Sequence, residues 1–128
     1  MPAYTQLPDS EFAVMQIIWN AHNPTREPVS KTQVADIAAP QRGWKPQTVY
    51  TLLTRLQEKG FISSHKNGKE RNYTPLVASD DYLNQETNRF VRDFHANSIT
   101  GLMNAMFDGK PTEGDIAELT QWLEAFNQ

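Results

Sequence analysis

The segment from residue 46 to residue 60 constrains the fold more than any other part of the chain. Its apolar residues recur at i, i+3, i+4 and i+7, as one face of a helix requires: Val49, Leu52, Leu53 and Leu56. Pro46 suits the first helical position, where the amide has no partner within the helix, and Gly60 suits the end. We therefore predict a helix here, with one face packed against a core.

The opposite face of this helix is polar and carries only one acid. Its residues are Gln47, Thr51, Thr54 and Glu58, flanked by Thr48, Tyr50 and Arg55. Short side chains that donate hydrogen bonds or present methyl groups match the base edges exposed in the major groove of DNA. Because a polar helix face is more often simply solvated surface, this feature indicates DNA contact only together with its neighbours.

A hairpin is predicted directly after this helix. Two strands are expected at 61–66 and 70–75, joined by Asn67-Gly68, a dipeptide that favours the tight turn of a hairpin. Its basic side chains would allow the hairpin to lie against the DNA backbone, as the wing of a DNA-binding domain does.

Two further helices are predicted before residue 46. Asp9 or Ser10 can cap the first, which runs to about His22, and Ser30 can cap the second, which ends near Gly43. Three helices followed by a hairpin are the plan of a winged helix. The chain is therefore expected to be mainly α with a small β-hairpin, and residues 1–78 to form a winged helix-turn-helix domain.

The charge is distributed unevenly along the chain. The net charge is −3, but residues 1–78 carry nine basic and six acidic side chains, and residues 79–128 carry three basic and nine acidic ones. Within 42–71 there are seven bases and two acids. Because phosphate binding depends on the local field, the acidic chain as a whole does not exclude a nucleic-acid partner.

Residues 79–128 are expected to form helices that mediate dimerisation. Their apolar positions recur at helical spacing: Leu83, Phe90, Phe94, Ile99, Leu102, Met103, Met106, Ile116, Leu119 and Leu123. Short helices in about fifty residues bury little surface alone. A second copy of the chain would supply the missing partner face, so we predict a homodimer.

Several classes of function are disfavoured by what the sequence lacks. It has no cysteine, and its histidines show no ligand-like spacing, so neither a metal nor a cofactor is expected. No phosphate loop, nucleophile elbow or zinc-protease motif is present, which argues against an enzyme. No signal peptide or long apolar span appears, so a cytoplasmic location is expected. A winged helix used only for docking proteins remains an alternative.

Taken together, these motifs resemble the penicillinase-repressor and methicillin-resistance-repressor family, whose plan is shared by copper-responsive repressors. The residues that carry the resemblance are Leu7, Glu11, Val14, Met15, Ile18, Trp19, Trp44, Pro46, Thr48, Val49, Thr51, Leu53, Arg55, Leu56, Lys59, Gly60, His65, Lys66, Gly68, Tyr73, Thr74 and Pro75. The resemblance covers residues 7–126. It implies a homodimeric transcriptional repressor that binds a dyad-symmetric operator with one recognition helix per half-site.

The resemblance also implies roles for individual residues. Those expected to meet base edges are Gln47, Thr48, Tyr50 and Thr51. Those expected near the DNA backbone are Ser30, Thr32, Lys45, Arg55, Lys66, Lys69 and Arg71. Tyr50 has an alternative, in which its ring packs on the protein surface instead.

How repression is relieved stays open from the sequence. In β-lactam-responsive members of the family that this sequence resembles, a membrane sensor-peptidase triggers cleavage at an Asn-Phe bond. The matching position here is Asn104-Ala105, where alanine replaces the aromatic residue. Copper sensing through paired thiolates is excluded because the chain has no cysteine. The resemblance suggests β-lactam-resistance or related stress genes as targets, without fixing the signal.

Overall fold

The computed structural model describes residues 3–127, which are mainly helical with one small antiparallel sheet. The elements in chain order are α1 (Asp9–His22), β1 (Val29–Ser30), α2 (Lys31–Arg42), α3 (Pro46–Glu58), β2 (Ile62–Asn67), β3 (Glu70–Pro75), α4 (Ser79–His95), α5 (Ile99–Phe107) and α6 (Glu113–Phe126). The fold class predicted from the sequence is confirmed, with one addition. The two-residue strand β1 joins the hairpin to give the strand order β1-β3-β2.

The chain divides into two compact units, with the division between Glu86 and Thr87 inside α4. The N-terminal unit therefore includes the first two turns of α4. The division of roles after residue 78, expected from the sequence, stays a prediction.

The core of the N-terminal unit is built where the helical periodicity placed it. All four apolar positions of α3 are buried, and Val49, Leu53 and Leu56 have no exposed surface. They pack in one cluster with the buried face of α1, which includes Val14, Met15 and Ile18. Since its inner face is fixed in this way, α3 must present its polar face outwards.

Two buried contacts in this unit are not evident from periodicity. Glu11 of α1 is 3% exposed and its carboxylate lies 2.6 Å from the Lys59 ammonium at the end of α3. Lys59 therefore holds α3 against α1 and adds little to the positive field around the hairpin. The other contact is made by Tyr82 of α4, whose hydroxyl accepts a 2.8 Å hydrogen bond from the Leu7 amide.

The helix starts agree only partly with the sequence predictions. Ser30 caps α2 as expected, because its hydroxyl oxygen accepts a 3.1 Å hydrogen bond from the Gln33 amide. The helix predicted to end at about His22 is present as α1, but its predicted cap was wrong: Asp9 and Ser10 lie inside the first turn, and Pro8 occupies the capping position without a side-chain bond. Asp9 still suits its position, because the positive end of the helix dipole stabilises a negative charge in the first turn.

The hairpin turn lies one residue later than predicted. Asn67 pairs with Glu70 across the strands, so the loop residues are Gly68 and Lys69 rather than Asn67 and Gly68. Gly68 has φ +69° and Lys69 does not have a positive φ. A glycine at the first loop position is what a type II′ turn requires, and this turn type overrides the asparagine-glycine preference.

The second unit leaves much of its apolar surface exposed. No residue of α5 or α6 is buried, although both helices have side-chain caps, at Ser98 and Thr112. Large apolar residues here are at least 46% exposed: Phe90, Phe94, Ile99, Met106, Ile116, Trp122, Leu123 and Phe126. Within residues 3–127, none of the helices combines the length and apolar character that crossing a membrane would need.

Candidate nucleic-acid interface

The outer face of α3 is a polar surface held by a rigid scaffold. Gln47, Thr48, Thr51 and Thr54 are all exposed. The helix is fixed by its buried stripe and by the Lys59 contact at its end, and a site on a packed helix is held more precisely than one on a loop. These side chains are therefore presented in a defined orientation.

Two threonines of α3, Thr51 and Thr54, direct their hydroxyl protons towards the backbone of their own helix. Thr51 Oγ1 donates to the Gln47 carbonyl at 3.1 Å, and Thr54 Oγ1 donates to the Tyr50 carbonyl at 3.1 Å. With its proton used in this way, each hydroxyl oxygen can accept a hydrogen bond and each methyl group is held in place. This suits the amino groups of adenine or cytosine, or the methyl group of thymine.

Tyr50 is partly buried against the core, and a cation covers its ring. The Lys31 ammonium lies 3.9 Å from the ring centroid, a favourable cation–π distance. This geometry agrees with the alternative in which the ring packs on the protein surface. Base reading by Tyr50 stays a prediction.

A polar cleft of about 500 Å³ connects α3 to the start of α2 and to the hairpin. It is lined by Lys31, Gln47, Tyr50, Thr51, Thr54, Gln57, Arg71 and Tyr73. The cleft places two cations, Lys31 and Arg71, beside the outer face of α3. Lys31 was not predicted as a site residue, because only the pairing of β1 with β3 brings the start of α2 to this place. Gln57 was not predicted either, although it lies on α3 three positions after Thr54 and therefore on the same side of the helix.

The hairpin, residues 62–75, carries exposed positive charge. Lys66 and Lys69 are exposed, and Lys66 lies opposite Arg71 in the strand register. Arg71 is partly buried and its guanidinium donates to Ser64 Oγ at 2.9 Å, which orients it across the strands. Like charges directly opposite in a sheet are unfavourable, so an anion between them would relieve their repulsion. Lys45 and Arg55 are also exposed, at the two ends of α3.

The start of α2 already has partners within the protein. Thr32 donates its backbone amide and its hydroxyl to Glu70 Oε1, at 3.0 Å and 2.7 Å. The Thr32 hydroxyl is the main cause of the lowered pKa of Glu70, followed by the Thr32 amide. The Ser30 hydroxyl oxygen is likewise occupied by the Gln33 amide. A role for Ser30 or Thr32 at a DNA phosphate stays a prediction.

The residues predicted for dimerisation and cleavage lie in α4, α5 and α6. Leu83 is exposed in the N-terminal unit, whereas Leu102, Met103 and Leu119 are partly buried in the second unit. Asn104 and Ala105 are exposed within α5. A peptide bond there has helical backbone geometry.

Comparison with protein families gives a match along almost the whole chain. The family model described as "Penicillinase repressor" matches residues 7–125. The penicillinase repressor of Bacillus licheniformis is 28% identical over 125 residues, which span 97% of this chain and 94% of that protein. The methicillin resistance regulatory protein MecI of Mammaliicoccus sciuri is 30% identical over 119 residues, which span 92% and 93%.

Solved structures of related proteins match the N-terminal part of the fold. The DNA-binding domain of the repressor BlaI is 32% identical with a TM-score of 0.53, over 64% of this chain and 94% of that one. Monomeric Bacillus licheniformis BlaI in complex with the blaP half-operator is 32% identical with a TM-score of 0.52. The winged-helix fold predicted from the sequence is confirmed by this likeness.

Proposed function

Because the chain belongs to the penicillinase repressor family and is a DNA-binding transcriptional repressor, we propose that it acts as a homodimer on a dyad-symmetric operator. The observation that carries this proposal is the outward polar face of α3, with Lys31 and Arg71 in the cleft beside it. Since the family consists of repressors, the prediction that the chain is not an enzyme is confirmed. Pure protein docking would not need these flanking cations.

The homodimer is supported by the exposed apolar surface of residues 87–127. Single exposed apolar residues are normal, but a set of this size on short helices is typical of an interaction surface. We infer that residues 79–128 dimerise and residues 1–78 bind DNA. A two-fold axis would then pair with a palindromic operator whose half-sites lie about 10 to 10.5 base pairs, or a multiple of that, apart.

The proposed contacts on each half-site follow from exposure and charge. Gln47, Thr48 and Thr51 would read base edges, with Tyr50 beside them. The DNA backbone would be held by exposed or partly exposed cations: Lys45, Arg55, Lys66, Lys69 and Arg71. Of the two residues expected at the start of α2, Ser30 has a hydroxyl proton to donate to a phosphate, whereas the amide and hydroxyl of Thr32 already donate to Glu70. Contacts of the first kind specify sequence, and contacts of the second kind position the protein.

Replacing Thr51 by alanine tests base reading. We expect operator affinity to fall by about 5- to 100-fold, as for loss of a good base contact, with little change on random DNA. Fluorescence anisotropy on both duplexes at one salt concentration measures this. Thr120→Ala is the matched control, because Thr120 makes the same backbone hydrogen bond in α6, to Ile116. Equal losses on the two DNAs would contradict the assignment.

Replacing Lys66 and Lys69 together by alanine tests the role of the hairpin. Binding to every duplex should weaken, and the slope of log K against log salt should become shallower by about 2, because each phosphate contact contributes close to one. A salt titration measures the slope, with Lys110→Ala as the control for an exposed cation in the second unit. An unchanged slope would remove these lysines from the interface.

A membrane sensor-peptidase is proposed as the partner that relieves repression, with Asn104-Ala105 as the position of cleavage. What supports it is the exposure of both residues in a nine-residue helix with no buried side chain. In a single copy of the chain such a helix opens readily, and opening exposes its backbone to a protease. We also propose that the chain acts in the cytoplasm, where bacterial operators lie, and controls β-lactam-resistance or related stress genes.

A further inference from the structure

An acid lies within the predominantly basic hairpin and has partners in another element. Glu70 is the first residue of β3, next to the loop formed by Gly68 and Lys69. Its Oε1 atom accepts both the amide and the hydroxyl of Thr32, which is thirty-eight positions away in sequence. Two donors on one carboxylate oxygen make this a directed contact rather than a general attraction between charges.

The strand pairing that attaches the hairpin to β1 stops before the outer end of the hairpin, residues 66–71. β1 pairs with β3 at Val29–Tyr73 and Ser30–Asn72, and there β1 ends because α2 begins. Beyond Asn72 the hairpin continues as a two-stranded ribbon through the pairs Lys66–Arg71 and Asn67–Glu70. Isolated two-stranded ribbons are marginally stable in water. The bond from Glu70 to Thr32 therefore continues the attachment past the point where β1 stops.

We propose that Glu70 is a positioning residue for DNA binding, which fastens the outer end of the hairpin, residues 66–71, to the start of α2. Its carboxylate fixes where Lys66, Lys69 and Arg71 are presented to the phosphate backbone. This inference rests on the proposed function, in which the hairpin holds DNA. A preorganised hairpin loses less conformational freedom on binding than a loose one, which is the source of the gain in affinity.

The proposal predicts an effect opposite to that of simple electrostatics. Removing an acid near DNA should tighten binding if only charge matters. Loss of the Glu70 contact should instead weaken operator binding by about 3- to 10-fold, because one or two side chains of the hairpin must then become ordered when DNA binds. The sign of the change therefore separates positioning from charge.

The experiment measures operator affinity of the full chain by anisotropy for three variants. Glu70→Ala should bind more weakly than the wild type, although it carries one negative charge fewer. Glu70→Gln keeps an oxygen that accepts from Thr32 and should bind at least as tightly as the wild type. Glu58→Ala removes an exposed acid from the end of α3 and should not weaken binding. An alanine variant that binds as well as the wild type, or a glutamine variant as weak as alanine, would overturn the proposal.

A double-mutant cycle with the lysines separates positioning from a general loss of stability. In the Glu70→Ala background, replacing Lys66 and Lys69 by alanine should cost less affinity than it does in the wild type. Additive losses would reject the positioning role. If the two lysines make no difference in the wild type, the proposed function of the hairpin fails. If they matter there but Glu70→Ala has no effect, only this inference fails.

Discussion

Replacing Tyr82 by alanine is expected to lower the free energy of unfolding of the N-terminal unit by about 3 to 5 kcal/mol, the usual cost of removing a large buried ring. The side chain is 2% exposed. Its ring lies 5.5 to 6.0 Å, between centroids, from three aromatic rings, those of Phe12, Trp19 and Phe61. Alanine would leave a cavity at this position, because the three surrounding rings are rigid and cannot move in to fill the space.

Two further variants divide this effect into its parts. Tyr82→Phe keeps the ring but removes the hydroxyl that accepts from the Leu7 amide, and should cost about 1 to 3 kcal/mol for the donor left unpaired. Asn84→Ala changes an exposed residue on the same helix and should stay within about 0.5 kcal/mol of the wild type. Urea unfolding followed through amide resonances of residues 3–86 measures all three. Equal midpoints for the Tyr82→Ala and Asn84→Ala variants would contradict the packing role.

The position of Tyr82 also affects how the DNA-binding unit should be isolated. A fragment that ends at residue 78 lacks this ring, whereas one that ends at residue 86 keeps it within the compact unit. The sequence indicated a boundary at 78 because the hairpin ends nearby and a helix start is evident at Ser79. The helical spacing selected Leu83, together with Phe90 and Phe94, as the apolar face of this segment, so the burial of its neighbour Tyr82 could not be recognised.

The parts of the fold that could be predicted are those governed by repeated local rules. The stripe of α3 was evident because several residues at helical spacing must share one side. The cap at Ser30 was evident because its partner lies three residues away. Such rules also identified the exposed face of α3, which is simply the side left over once the core is assigned.

The parts that could not be predicted depend on pairs of residues far apart in sequence. A strand of two residues, Val29 and Ser30, carries no pattern and exists only because β3 pairs with it. The contacts of Lys31 with Tyr50 and of Thr32 with Glu70 follow from that pairing. Counting charges also overstated the field, because Lys59 is paired with buried Glu11.

Replacing Leu123 by glutamate is expected to abolish the dimer and lower affinity for a full operator by about 10²- to 10⁴-fold. Leu123 lies on α6 and is 55% exposed in the single chain, so a charge is tolerated there until a second copy covers it. An unpaired carboxylate buried in an apolar interface is strongly unfavourable. Once the copies separate, each half-site is bound independently and the gain from linking two binding events disappears.

The design of this test separates the dimer from the DNA contacts. Sedimentation should give a monomer at micromolar concentration, and binding to a single half-operator should be unchanged, because no residue of the N-terminal unit is altered. Gln121→Glu is the matched control: it adds the same charge to an exposed polar position of α6 and should leave the dimer intact. A wild-type chain that sediments as a monomer would defeat the homodimer. Equal losses on half and full operators would show that the substitution acts through the DNA-binding unit, because avidity can be lost only where two half-sites are joined.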